Sequence, residues 1–247
     1  MIQMPIDYGK YIYHFTRKEI ACNLILKKNE LKISSFLDSN DPKETKTFGC
    51  WSIFKNCNAL EAIEITNAFK KYLSKYCKHL CFSSDYVLPI NGTDFYISGY
   101  NHPYMWAHYA NRSTGVCLVL DKEKFIKENS NLRPEKVEYV PVFNYPQIDP
   151  AIWKDRGDKY FKTFLTENKK KLFLQKHLHW ECEHEIKTIE IGKKEFCNIE
   201  HSLQGVILGI DFDMKNIDDL KKVIAPNIWI EKIRLEEGRF VSSFFQS

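Results

Sequence analysis

Between Lys176 and Ile191 the chain changes periodicity, and that switch limits the folds open to it. The segment from Ala151 to His177 is Lys-rich and reads as helix. From Trp180 onward, Glu181-Cys182-Glu183-His184-Glu185-Ile186 runs into Lys187-Thr188-Ile189-Glu190-Ile191 with strict alternation. Period two is the mark of a strand, whose successive side chains point to opposite faces. On this reading Glu181, Glu183 and Glu185 share one face, and Cys182, His184 and Ile186 the other. Three carboxylates in a row repel one another. Such a strand is either an edge that uses charge to resist aggregation or part of a functional site.

Elsewhere strands and helices intermix. Tyr11 to Thr16 is aromatic and β-branched and predicts a strand, with Thr16 placed to cap a helix over Arg17 to Lys28. Glu30 to Ser34 reads as a short strand, and Asp38 to Glu44 as turns in which Pro42 forbids a strand interior. Asn58 is placed to cap a helix reaching about Lys78, followed by a strand from His79 to Ser84. Asp85 to Pro103 is a long connection of the kind that forms lids or binding loops. Tyr104 to Asn111 predicts a short aromatic helix and Gly115 to Leu120 a small apolar, central strand. Helices over Lys122 to Asn129 and Ile217 to Ile224 are interspersed with strands over Lys136 to Val140, Leu203 to Ile210, Ile228 to Leu235 and Arg239 to Phe245. The expectation is one α+β domain over residues 1–247, with a mixed or antiparallel central sheet flanked by helices.

Composition excludes some functional classes. A net charge of +4 is too small an excess to argue for nucleic acid by itself. Apolar runs such as Gly205 to Ile210 are far shorter than a membrane span, and the first residues lack the apolar core of a signal peptide. A cytoplasmic protein is expected, its eight cysteines held as thiols. Cys50, Cys57, Cys77 and Cys81 contain no Cys-x-x-Cys pair, so buried thiols fit better than a zinc site. Gly-x-Ser-x-Gly, phosphate-loop and dinucleotide glycine motifs are all absent.

Several residues remain as candidates, each with a structural alternative. His14, between two rings on its strand, is either a core histidine satisfied by the backbone or a hydrogen-bond partner for a ligand. Ser83 and Ser84 end a strand, as a turn or as a site wall. The helix carrying Tyr104, Trp106, His108 and Tyr109 has polar-tipped rings that suit a planar ligand, although part of it serves the core. Asp41 and Glu44 with Glu183 and Glu185 form an acidic set of the sort that holds magnesium in nucleases.

Read together, Tyr13-His14-Phe15-Thr16, Asn40-Asp41-Pro42-x-Glu44, Cys81-Phe82-Ser83, Met105-Trp106-x-His108-Tyr109-Ala110, Gly115-Val116-Cys117 and Trp180-x-x-Glu183-x-Glu185 resemble the bacterial domain of unknown function 2971 from about Ile12 to Leu235. Position 43 is Lys where that family favours an apolar residue, and Lys187 stands where an arginine is usual. The same order is similar, more distantly, to the ADP-ribosyltransferases, through His14, Phe82-Ser83-Ser84 and Glu183-x-Glu185. That resemblance implies NAD as ligand and no metal. It makes Glu185 the carboxylate that holds the nicotinamide ribose and stabilises the developing cation, and Glu183 the group that orients the acceptor. His14 holds the ribose or carboxamide, Ser83 braces the glutamate, and Tyr109, with Trp106, offers rings to the nicotinamide. The implied activity is an ADP-ribosyltransferase or NAD glycohydrolase, as a bacterial toxin or defence effector. The alternatives are a non-enzymatic module binding nucleotide, nucleic acid or protein, and a metal-dependent nuclease. Asn40, Asp41, Glu44 and His108 are further pocket candidates.

Overall fold

The computed structural model describes residues 8–39, 41–42, 54, 57–236 and 239–244. In chain order its strands begin with β1 (Tyr11–Thr16), β2 (Glu30–Lys32), β3 (Ser34–Ser35), β4 (Cys77–Ser84) and the hairpin β5 (Tyr86–Ile90) and β6 (Thr93–Ile97). Next come β7 (Val116–Asp121), β8 (Glu135–Lys136), β9 (Glu138–Val140), β10 (Gln175–His177) and β11 (Glu185–Ile191). The last are β12 (Phe196–Asn198), β13 (Leu203–Leu208), β14 (Trp229–Glu236) and β15 (Arg239–Phe244). A central sheet runs in the order β15-β14-β13-β7-β1-β4-β11-β8, with β3 also on β4. β13 and β14 pair in parallel while β1, β4, β7 and β11 pair antiparallel, so the fold is α+β with a mixed central sheet.

The period-two pattern explains the layers. Ile12 packs with Val116, Leu118 and Leu120 on one face, and Tyr13 and Phe15 pack with Cys117 and Val119 on the other. Every residue of β7 is buried, as a strand covered on both faces must be. A further apolar layer forms where the helices Ala59–Tyr76 and Asp158–Glu167 meet Phe36, Phe173 and Ile189. No helix among the described residues is long and apolar enough to cross a membrane.

Some expectations change. The segment 151–177 is not one helix. It breaks into Pro150–Arg156, Asp158–Glu167 and Lys169–Phe173 and ends in β10, because Gly157 takes a positive φ of 56° and Asn168 leaves the helical region. The connection after Asp85 folds as the β5–β6 hairpin, with Asn91 and Gly92 at positive φ in its turn. The helix expected over Arg17 to Lys28 has a π-turn at Ala21–Ile25, and Arg17, not Thr16, occupies its N-cap.

One edge of β4 positions the site. β11 pairs with β4 from Cys77 to Ser83. On the opposite edge, β3 pairs only at Lys78 and His79, and β1 only at Ser83 and Ser84. Leu80, Cys81 and Phe82 face a gap between those two ladders. Neighbouring strands in a continuous sheet lie about 4.8 Å apart; here the two edges part, and a cavity takes the space between them.

The helix Ala59–Tyr76 begins with a capping box: Asn58 Oδ1 accepts from Glu61 N at 3.0 Å, and Glu61 Oε2 accepts from Asn58 N at 3.3 Å. Asn58→Ala is expected to lower stability by about 1 kcal/mol in urea denaturation. An unchanged midpoint would show that tertiary packing alone fixes this helix start.

Candidate active site

The gap opens into a cavity of about 670 Å³, within the range of small-molecule sites. Residues from both faces of β4 line it, among them His79, Leu80, Cys81 and Phe82, as do Tyr13, His14 and Phe15 of β1. Ile20 and Leu24 of the π-turned helix and Phe196 of β12 are partly exposed and form an apolar mouth. π-Turns often mark functional positions because the widened turn redirects side chains.

At the inner end the wall becomes charged. Lys176 Nζ lies 2.7 Å from Glu183 Oε2 and 2.9 Å from Glu185 Oε2, and all three side chains are buried. Lys187 Nζ, wholly buried, is 3.5 Å from the other oxygen of Glu185. Tyr109 donates its hydroxyl to Glu183 Oε1 at 2.7 Å. Trp180 offers its ring to Lys176 Nζ at 5.2 Å from the centroid, a cation–π contact.

The local backbone is what aims these groups. Lys176 lies on β10, which runs parallel to β9 and pairs Lys176 with Tyr139. The chain then makes a 3₁₀ turn over Leu178–Glu183, and His184 takes a left-handed conformation with φ 44° before β11 starts at Glu185. The single strand face expected for Glu181, Glu183 and Glu185 is therefore corrected. Glu181 is exposed on the turn, whereas Glu183 and Glu185 converge on one ammonium from either side of a kink. Cys182 likewise does not share a strand face with His184 and Ile186. β11 lies between β4 and β8 and is not an open edge.

A left-handed histidine is sterically costly, and its neighbours hold it. Ser83 Oγ donates to the Glu183 carbonyl at 3.1 Å, and Ser84 donates both N and Oγ to the His184 carbonyl at 3.1 and 3.0 Å. The His184 ring stacks on Tyr86 with centroids 3.7 Å apart. Glu185 N donates to the Tyr139 hydroxyl at 2.8 Å. Ser83 thus braces the glutamate pair through the backbone and not through a carboxylate.

Electrostatics follow from burial and these partners. Burial alone would raise the Glu185 carboxyl, but the charges of Lys187 and Lys176 and hydrogen bonds from Cys81 and Lys176 outweigh it and hold it at about 2. Burial, then the charge of Glu183, raises Tyr109, so its phenol stays protonated as a donor. Burial lowers His14. Its Nδ1 lies 3.1 Å from the Cys81 carbonyl, which can only accept, so Nδ1 carries the proton and Nε2 of the neutral ring is an acceptor. Burial, with His102 and Lys136 nearby, lowers His184 to about 4.

His14, Tyr109, Asp41, Glu183 and Glu185 thus line one cavity, with Ser83 behind its wall. Trp106 does not line it. Its side chain packs on Phe15 in the core and its indole donates to the Tyr100 carbonyl at 2.7 Å. His108 is exposed and packs on Tyr104 away from the cavity. Asn40 and Glu44 lie outside the described residues. Lys176 and Tyr139 carry the arrangement yet have no local sequence signature. Among the described residues, no group of three or more His, Cys, Asp or Glu side chains is arranged to hold a metal ion. Between Glu183 and Glu185 the cation is Lys176 itself.

Residues 105–187 match the model of a family described as a protein of unknown function, DUF2971. The matched segment starts at Met105 and ends at Lys187, so it holds the whole charged cluster: Tyr109, Tyr139, Lys176, Glu183, Glu185 and Lys187. The resemblance read from about Ile12 to Leu235 is thereby matched only over residues 105–187, and β1 and β4, which bring His14 and Ser83, fall outside it. No curated protein and no solved structure matches the chain.

Two outcomes are expected from this geometry. Lys176→Met leaves the buried Glu183 without its ammonium and Glu185 with Lys187 alone, and should cost about 3–5 kcal/mol of stability. Adding Glu183→Gln should restore part of that loss, as read in a double-mutant denaturation cycle. The second outcome concerns pH. His184 and Glu185 both have lowered values in the folded chain, so the unfolded chain binds more protons and stability rises with pH. The His184 contribution is present above its ordinary 6.5 and is lost as pH falls toward about 4. The Glu185 contribution is present above 4.5 and is lost toward about 2. Urea midpoints measured from pH 7 to 3 should therefore fall in two stages. His184→Asn, which tolerates the left-handed backbone, should remove the first; an unaltered first stage would assign it to other groups.

Proposed function

We propose that the cavity is the active site of an NAD-consuming enzyme, a glycohydrolase or ADP-ribosyltransferase. The observation that carries this reading is a buried carboxylate held ionised, Glu185, beside a second, Glu183, at the inner end of a cavity walled by aromatic and aliphatic side chains. Breaking the bond between nicotinamide nitrogen and ribose C1′ sends the electron pair out with nicotinamide and leaves positive charge on the ribosyl ring. A fixed carboxylate in a dry site stabilises that charge as it develops. Glu185, ionised across the working pH range, suits this electrostatic role and is unsuited to being a general acid.

The other residues take complementary roles in this scheme. His14 presents an unprotonated Nε2 to a ribose hydroxyl or to the carboxamide N–H. Tyr109 and Trp180 offer ring faces to the nicotinamide. Glu183, tied to Lys176 and Tyr109, orients the acceptor: water in hydrolysis, or a nucleophilic side chain in transfer. The acceptor adds to C1′ and gives up its proton, so the balance is NAD plus acceptor to ADP-ribosyl acceptor, nicotinamide and a proton.

A second reading rests on a specific feature of the same cluster. Lys176 already neutralises both carboxylates, which suits a preorganised pocket that binds a nucleotide and turns nothing over. Labelled NAD separates the two. The enzymatic reading expects nicotinamide release by the wild type, its loss in Glu185→Gln with the fold verified by circular dichroism, and a raised KM in His14→Gln. Calorimetric binding without any release, with or without cell lysate as acceptor source, favours the binding module.

A further inference from the structure

The exposure of Phe196 at the cavity mouth is built into a strand register. β12 and β2 form a two-stranded sheet of their own, with Phe196 opposite Lys32 and Cys197 opposite Leu31. Successive side chains of a strand take opposite faces. Cys197 and Leu31 are buried in the core, so Phe196 and Lys32 are turned outward together. Phe196 is left 42% exposed there while it lines the cavity.

Its ring is also unmatched. Core rings of this chain pack on other rings, as Phe36 does on Phe173 and Phe69 on Phe161. Among the described residues Phe196 has no such partner. A single exposed hydrophobe is ordinary on any surface. Phe196 differs because it shares one cavity entrance with Ile20 and Leu24, themselves 40% and 49% exposed on the π-turned helix. Both signs of charge line this end, Lys28 and Lys32 with Glu30 and Asp38, so the apolar groups and not the charges distinguish it.

The same cavity extends from this mouth to Glu183 and Glu185. With the nicotinamide riboside placed at Glu185, the diphosphate and adenosine of NAD lie away from the carboxylates. Adenine is then the flat, apolar surface the substrate has left to offer. A base stacks on an aromatic side chain through its π-face, and one such contact changes affinity by about tenfold.

We infer that Phe196 is the adenine-binding residue of the site, with the purine stacked on its ring beside Ile20 and Leu24. The mouth thereby selects a dinucleotide over a mononucleotide. This rests on the NAD-consuming reading of the same cavity and deepens it by naming the group that holds the far half of the substrate.

The test measures nicotinamide release by the full chain from NAD and from nicotinamide mononucleotide, which has the same riboside and no adenosine. Phe196→Ala should raise the ratio of KM for NAD to KM for the mononucleotide about tenfold, and Phe196→Trp should bring it back. Calorimetry with ADP-ribose, which has the adenine and no nicotinamide, should show a loss of about tenfold in affinity in Phe196→Ala without any turnover. Circular dichroism checks the fold, and Phe196→Leu, which keeps apolar bulk and loses the ring, serves if the alanine variant does not fold. Nicotinamide release with a KM ratio and an ADP-ribose affinity indifferent to Phe196 would overturn the inference and leave the enzymatic reading standing. ADP-ribose binding that depends on Phe196, with no release from either substrate, would sink the enzymatic reading and keep the adenine site. No binding of ADP-ribose by the wild type would overturn the adenine site outright.

Discussion

Lys176 sets one ammonium between two carboxylates that the chain buries, and most of the local architecture serves that contact. Burying a lone carboxylate costs several kcal/mol, so two of them require compensating charge at short range. The compensation comes from sequence neighbours that could not reach in regular structure. Lys176 is on a strand parallel to β9, Glu183 ends a 3₁₀ turn, and Glu185 opens β11 after a left-handed His184. Each irregularity has a partner that holds it: Ser83 and Ser84 for the kink, Tyr86 for the His184 ring, Tyr139 for the first amide of β11. Strain of this kind persists only where surroundings over-determine it, and it concentrates at functional sites.

The same contact bears on position 187. The chain has Lys187 there, which lacks the planar fork that an arginine would offer for two-point binding of a carboxylate. Here Glu185 does not need the fork, because Lys187 approaches one oxygen and Lys176 the other. Two point charges on separate elements do what one guanidinium would do from a single position. Lys187 has a second contact as well, its ammonium lying 5.8 Å from the centre of the Phe36 ring, on the aromatic layer behind the sheet.

What the sequence revealed tracks how local each signal was. β1 and the Asn58 cap depend on residues within one or two turns, and the structure places them where the residue pattern does. Glu183 and Glu185 were legible as a pair but for a different reason: alternation suggested one strand face, whereas a kink brings them together. Lys176 was illegible because it follows a run of lysines that reads as a solvated helix, and only the break at Gly157 and the turn into β10 bury it. Trp106 and Tyr109, three residues apart, were equivalent as rings with polar tips. The fold separates them by giving the Trp106 indole the Tyr100 carbonyl and leaving Tyr109 to Glu183. The gap along β4 could not be read at all, since it depends on where two distant strands stop pairing.

That gap is the step from fold to chemistry. A cavity on one face of a sheet would have to displace core, but an interruption between two ladders leaves both apolar layers in place. It also leaves backbone groups of β4 without a strand partner, and such groups need other partners when buried. At Cys81 the carbonyl takes its hydrogen bond from His14, so the interruption also fixes the tautomer of the histidine that lines the site. A continuous sheet would have spent that carbonyl on a neighbouring strand and left His14 free to adopt either tautomer. The missing rungs of the ladder thus open the space and set the proton on the ring beside it.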